Sequence, residues 1–203
     1  MKIICIGRNY AKHAKELNNP VPAEPVFFMK PETSLILNGK PFFHPDFSKN
    51  IHFETELVLR INRLGKHIEE RFAHRYYNEI GIGIDFTARD IQDACKKKGL
   101  PWEKAKAFDG SAPLGEFIPK STFKSVDDIN FSLNINGVEK QRGNTQDLLF
   151  CFDKIIAHVS KYLTLKIGDL IYTGTPEGVG PVKVNDKLEA FIEGERMLTF
   201  QVK

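Results

Sequence analysis

The sequence predicts an α+β fold, strand-rich and dominated by antiparallel pairing, with a few helices. Three observations predict it. Short apolar runs bounded by Gly, Pro and Asn recur along the chain, Asn-Gly pairs sit between such runs, and regular strand–helix–strand alternation is absent. Sixteen phenylalanines against one tryptophan also suit aromatic β-structure better than a helical bundle. With 203 residues, 41% of them apolar, the chain is expected to form a single domain over 1–203 with a proper core.

The elements follow in order. Met1 to Arg8 reads as a strand, with an apolar run too short for a signal peptide. Tyr10 to Leu17 has helix-forming composition and stops at Asn18-Asn19-Pro20. A proline-rich connection leads to a short strand, Val26 to Met29. Asn38-Gly39 between Leu35-Ile36-Leu37 and Pro41-Phe42-Phe43 predicts a hairpin. His52 to Leu59 is a strand, followed by a turn at Asn62 to Gly65 and a charged stretch, Glu69 to Asn78, that suits a short helix. Ile80 to Phe86 is a strand with isoleucines on one face. Thr87-Ala88-Arg89-Asp90 has the form of a capping box and starts a helix to about Lys97, stopped by Gly99-Leu100-Pro101. Asn136-Gly137 predicts a second hairpin. Leu148, Leu149, Phe152, Ile155, Ile156 and Val159 recur at helical spacing, with Thr145 as the expected cap. Leu170 to Tyr172, the loop Thr173 to Pro181, and two strands around Glu193-Gly194 complete the chain.

A formal charge of +3 gives no reason to expect a nucleic-acid partner. Cys5, Cys95 and Cys151 are odd in number and widely spaced, which argues against a disulfide framework or zinc site and for a reducing compartment. No stretch approaches a membrane span, so the cytoplasm is the expected location.

The chemistry is expected where acids interrupt apolar strands. Glu54 and Glu56 alternate on one strand and so share a face, roughly 7 Å apart by strand rise. A solvated strand face flanked by lysines would also explain two such glutamates. Asp85 lies in an equally apolar strand beside Gly81 and Gly83, and the three carboxylates together suggest an all-oxygen site for a hard divalent cation, Mg²⁺ or Mn²⁺. His13 and Glu16 share a helix face, as a carboxylate orienting a general base would, or as a common surface pair does. Lys106 is either a surface lysine or a stabiliser of an oxyanion near the cation. The glycine-rich loop from Thr173 to Pro181 is either a complex turn or a cradle for an anion.

Taken together, Gly7-Arg8-Asn9-Tyr10-Ala11-Lys12-His13, Phe28-Met29-Lys30-Pro31, Glu54-Thr55-Glu56, Asp85 to Asp90 with Gln92, Lys96 to Trp102, Lys106, and Thr173 to Pro176 with Gly178 to Pro181 resemble the fumarylacetoacetate hydrolase family. The resemblance runs nearly end to end and is closest to the short acylpyruvase and oxaloacetate decarboxylase branch. It implies a strand-rich mixed β-sandwich roll, usually dimeric, with one Mg²⁺ or Mn²⁺ per subunit on Glu54, Glu56 and Asp85. By the same resemblance, His13 and Glu16 form a catalytic dyad on a lid segment. Lys106 and Thr175 contact substrate oxygens, and Arg89 and Gln92 help hold the carboxylate of a 2-oxo acid. The implied function is hydrolysis or lysis of a C–C bond in small 2-oxo acids through a metal-stabilised pyruvate enolate. Two alternatives stand beside it: a decarboxylase or isomerase of unsaturated 2-oxo diacids from aromatic catabolism, and a non-catalytic oxo-acid-binding protein.

Overall fold

The structure, a computed structural model, describes residues 1–16 and 20–203. In chain order it contains β1 (Ile3–Gly7), α1 (Ala11–Glu16), β2 (Val26–Lys30), β3 (Leu35–Ile36), β4 (Ile51–Phe53), β5 (Thr55–Ile61), α2 (Glu70–Ala73), β6 (Tyr77–Ile84), β7 (Thr87–Ala88), α3 (Arg89–Lys98), α4 (Glu103–Lys106), β8 (Ala112–Pro119), β9 (Asn130–Ile135), β10 (Val138–Asn144), α5 (Phe152–Tyr162), β11 (Leu170–Tyr172), β12 (Gly180–Pro181), β13 (Lys187–Ile192) and β14 (Glu195–Gln201).

A seven-stranded sheet in the order β2-β1-β11-β5-β6-β8-β3 forms the frame, with a four-stranded sheet β10-β9-β13-β14 and a three-stranded sheet β12-β4-β7. Only β1–β11 and β3–β8 pair in parallel among the described strands; the other named pairs are antiparallel. The fold is therefore the strand-rich α+β roll the sequence predicts.

The central strands are apolar on both faces because both are covered. Leu57 and Leu59 join Ile80 and Ile82 in the main core with α5, whereas Val58 faces a smaller cluster with Ile3 and Tyr172. α5 lays Phe152, Ile155, Ile156 and Val159 onto the main core. Burial of such a side chain stabilises by roughly 1.5–3 kcal/mol. Gly83, opposite Glu56 in the β5–β6 ladder, is needed for a close approach: a Cβ there would lie 2.6 Å from the Tyr172 hydroxyl.

Several local expectations differ from the structure. Asn38 and Gly39 both take positive φ (59° and 65°) and make a turn, but the flanking segments do not pair. β3 pairs with β8 instead, and Phe42 bridges Val202, so longer-range partners win. The predicted strand from His52 to Leu59 is broken at Glu54 into β4 and β5, which belong to different sheets. Asp85 lies just beyond the end of β6 rather than within it. There is no capping box at α3: Thr87 is a strand residue, Ala88 is the cap without a side-chain bond, and the Asp90 carboxylate accepts from Ser48 Oγ at 2.6 Å and Lys49 N at 3.0 Å. Thr145 does not cap α5. It opens a 3₁₀ turn capped by Asn144, Leu148 and Leu149 fall outside the helix, and Cys151 precedes Phe152 as the helix cap. The first helix ends at Glu16 in the described chain, and Leu17 lies outside the described residues. The second hairpin forms as expected, with Asn136 and Gly137 at φ 53° and 80°.

Candidate active site

The break at Glu54 and the end of β6 bring three acids to one point. Backbone bonding explains the placement: Asp85 N donates to Glu54 O at 2.8 Å, tying the residue after β6 to the residue before β5. One carboxylate oxygen from each of Glu54, Glu56 and Asp85 lies within 4.8 Å of the others, and all three residues are buried.

Three cations share this space. Lys106 Nζ donates to Glu54 Oε2 at 2.8 Å and to Asp85 Oδ2 at 2.6 Å. Arg89 donates through Nη2 to Glu54 Oε1, and through Nη1 to Gln92 Oε1 at 2.6 Å. Lys30, which the sequence analysis gave no role, lies 2.8 Å from Asp85 Oδ1 with its ammonium fully buried. It also donates to Phe86 O at 3.1 Å, Ser111 Oγ at 2.9 Å and the Lys106 carbonyl. The signal for it was a lysine closing an apolar strand, Val26 to Met29, directly before a proline.

The carboxylates differ electrically. Burial alone would raise the Glu54 carboxyl, but Lys106 and Arg89 hold it well below the usual range. Burial, with Asp85 and Glu54 adding to it, pushes Glu56 well above that range, and the 2.7 Å bond from Gly174 N only moderates this. Lys106 is lowered by burial, but Asp85 and Glu54 outweigh this and keep it a firm cation.

The donor set fits a hard divalent cation. It is all carboxylate oxygen, Glu56 carries no cationic partner among the described residues, and Asp85 Oδ1 has no aligned hydrogen bond despite its buried position. Glu54, Glu56 and Asp85 are the residues that would hold it.

His13, on α1, lines the same pocket as the three acids. Its Nδ1 lies 3.1 Å from Glu16 Oε2, and Glu16 Oε1 accepts from Gly178 N at 3.0 Å, which ties the helix to the glycine-rich loop. Thr175, also in that loop, is held by Gln141: its hydroxyl accepts from Gln141 Nε2 at 2.9 Å, while Gln141 Oε1 accepts from Thr55 N at 2.9 Å. Gln141 has no motif around it and was not legible as part of the site. Gly174 at φ 106° aims its N–H at Glu56, and a Cβ there would lie 2.6 Å from Asn9 Cβ. All nine residues singled out in the sequence thus fall around one pocket, except that Glu16 reaches it through His13.

Comparison with known proteins gives the same picture. The family model described as fumarylacetoacetate (FAA) hydrolase C-terminal matches residues 2–203. The chain is 44% identical over 201 residues to the mitochondrial oxaloacetate tautomerase of Mus musculus, covering 99% of this chain and 91% of that one. It is 42% identical over 199 residues to an oxaloacetate tautomerase of Escherichia coli, covering 98% and 91%. Among solved structures, a fumarylpyruvate hydrolase from Pseudomonas aeruginosa in complex with Mn²⁺ and pyruvate superposes with a TM-score of 0.93 at 34% identity, covering 100% of this chain and 89% of the other.

Proposed function

We propose, since the chain belongs to the fumarylacetoacetate hydrolase family, that it is a divalent-metal-dependent enzyme acting on small 2-oxo acids, by acylpyruvate hydrolysis, oxaloacetate decarboxylation or both. The observation that carries this reading is the convergence of three buried carboxylates beside a histidine–glutamate pair. The relatives' oxaloacetate tautomerase activity and the neighbour's Mn²⁺ and pyruvate support it. A cation on Glu54, Glu56 and Asp85, Mg²⁺ or Mn²⁺, would supply the Lewis acidity that favours an enolate at the 2-oxygen.

The residues do the rest. Glu16 accepts from His13 Nδ1, which leaves the lone pair on Nε2 to take a proton from water. That water attacks the distal carbonyl of an acylpyruvate, the C–C bond breaks, and pyruvate departs as its enolate. Lys106, held protonated, stabilises negative charge on the reacting oxygens. Thr175, fixed by Gln141, contributes a hydroxyl to a substrate oxygen. Arg89 and Gln92 orient one another and Glu54, and so shape the end of the pocket that takes the carboxylate. Decarboxylation of oxaloacetate reaches the same enolate by loss of CO₂ and needs no activated water; tautomerisation needs only the enolate and a proton donor.

The remaining parts of this reading are one catalytic domain over 1–203, a homodimer, and action in the cytoplasm without nucleic acid or membrane. No helix among the described residues is long and apolar enough to cross a membrane. The test is a side-by-side assay of acetylpyruvate, oxaloacetate and a muconate-derived oxo diacid on chelator-stripped protein, before and after Mg²⁺ or Mn²⁺ is restored. Turnover that returns with the cation in wild type but not in Glu54→Gln is expected. Equal activity of stripped and restored protein refutes metal dependence, and preference for the muconate-derived acid moves the assignment to the isomerase alternative.

A further inference from the structure

Gln141 does not line the pocket, yet it reaches the site through Thr175. It lies on β10 where the register with β9 shifts, between Glu139 and Gln141. A bulge of this kind re-aims the side chains that follow it. Val138, Glu139 and Lys140 are all exposed, and alternation then resumes with Gln141 buried, Arg142 exposed and Gly143 buried. The side chain turned inward is a neutral amide, 2% exposed, with both of its polar atoms engaged.

Its contacts leave the amide one orientation. The Thr55 N–H can only donate, so Oε1 must face it, at 2.9 Å. The Pro176 carbonyl can only accept, so Nε2 must face it, at 3.0 Å. The second hydrogen of Nε2 is then directed at Thr175 Oγ1, 2.9 Å away. A hydroxyl has one proton and two lone pairs, and here a lone pair faces Gln141. The Thr175 proton has to leave in another direction, and among the described residues no acceptor takes it. Thr173, two residues earlier, behaves differently: its hydroxyl donates to Leu57 O at 2.9 Å and is satisfied inside the fold. Thr175 is 3% exposed, so solvent barely reaches it, and it lines the pocket that holds the three acids. A buried donor without a partner is unfavourable unless a ligand meets it.

We propose that Gln141 is a positioning residue that fixes the polarity of Thr175: it occupies an acceptor side of the hydroxyl, so that the hydroxyl meets the substrate as a donor and favours an anionic oxygen there. The proposal rests on the 2-oxo acid reading above, which supplies that oxygen as a carboxylate or an enolate. Gln141 also spans the site. Thr55 stands between Glu54 and Glu56, so one amide links the backbone of the acid-bearing strand to the loop that meets the substrate. Without Nε2 the Thr175 hydroxyl is free to rotate, and its proton is no longer held toward the pocket.

Binding of oxalate, a dianion that offers only acceptor oxygens, tests this without turnover. Calorimetry on wild type, Gln141→Met, Thr175→Val and the double variant gives the Mg²⁺ affinity and then the oxalate affinity of the Mg²⁺-loaded protein. Thr175→Val is expected to weaken oxalate roughly ten- to a hundredfold, the weight of a hydrogen bond to a charged group. Gln141→Met should weaken it about fivefold or more, the weight of an ordinary hydrogen bond. In the Thr175→Val background the same change should cost less than about twofold, because the hydroxyl it directs is gone. Thr175→Ser, which restores the hydroxyl, should bind oxalate within about threefold of wild type and recover the full sensitivity to Gln141→Met. A packing role alone gives equal losses in both backgrounds, or a fall in Mg²⁺ affinity in step with oxalate; either result overturns the proposal. Gln141→Glu is the second variant, should methionine prevent folding. It keeps the shape and the bond from Thr55 N but, ionised, has no proton to donate. Its oxalate loss should again be larger with Thr175 present than in Thr175→Val, whereas equal losses would mean added charge alone and would overturn the assignment. Coupling seen without turnover of any 2-oxo acid would leave Gln141 in this role and remove the catalytic reading.

Discussion

Replacing Lys30 by methionine is the sharpest test of how the acid cluster is held. The side chain is fully buried, its ammonium lies 2.8 Å from Asp85 Oδ1, and it serves Phe86 O, Ser111 Oγ and the Lys106 carbonyl at once. Methionine fills a similar volume but removes the charge and all three donors. Asp85 keeps Lys106 but loses the cation on its other oxygen. Breaking a buried pair from one side costs about 3–5 kcal/mol, because the surviving charge stays desolvated. For a chain of this size each kcal/mol moves Tm by roughly 2–4 °C, so a fall of about 6–20 °C is expected. Thermal unfolding of wild type, Lys30→Met, Asp85→Asn and the double variant, all chelator-treated, measures this. The double variant should lose less than the sum of the singles by about 0.5–3 kcal/mol, since neither charge is then stranded. A Lys30→Met loss below about 1 kcal/mol, or strict additivity in the cycle, would refute the claim that Lys30 is Asp85's buried counter-charge.

His13→Ala should lower acylpyruvate hydrolysis by roughly 10²- to 10⁴-fold and spare oxaloacetate decarboxylation, since only the former needs an activated water; equal losses in steady-state assays of both would contradict that role. Asp90 is held below the usual carboxylate range: burial, the largest single effect, raises it, and the hydrogen bonds from the Ser48 hydroxyl and the Lys49 and Ile91 amides together outweigh that. Its stabilising effect is therefore present above the ordinary aspartate pKa and is lost as pH falls through the depressed value. In Ser48→Ala the Asp90 carboxyl should titrate higher by NMR, and an unmoved titration would show that the hydroxyl does not matter. Gly174→Ala should fail to hold Glu56 in place, because the added Cβ meets Asn9 and the φ of 106° resists any side chain. The expected result is Mn²⁺ affinity at least tenfold weaker by calorimetry, roughly the weight of one charge-assisted bond, and unchanged affinity would contradict it.

Much of this was legible in the residues. Acids that interrupt apolar strands are costly unless they face something, so Glu54, Glu56 and Asp85 stood out by their surroundings alone. The Asn136-Gly137 hairpin formed because its flanking strands are each other's best partners. Asn38-Gly39 carries the same turn chemistry, yet β3 found β8 and Phe42 found Val202, pairings set by distant sequence that no local signal encodes. The capping box failed for a similar reason: Asp90 bonds Ser48 and Lys49, residues some forty positions away. Lys30 left only a faint signal, its place at the end of an apolar strand before a proline, and its buried partners come from distant segments; Gln141, bridging a strand to a loop, looks in sequence like any surface glutamine.

The account stands on a divalent cation held by three carboxylates. The most direct measurement is an anomalous difference map from crystals soaked with Mn²⁺ and pyruvate. The account predicts one strong peak per chain, bounded by oxygens of Glu54, Glu56 and Asp85 with pyruvate completing the shell, and no peak at that position in Glu56→Gln. A peak elsewhere, or full density between the acids for the lysine ammonium alone at saturating Mn²⁺, would contradict it.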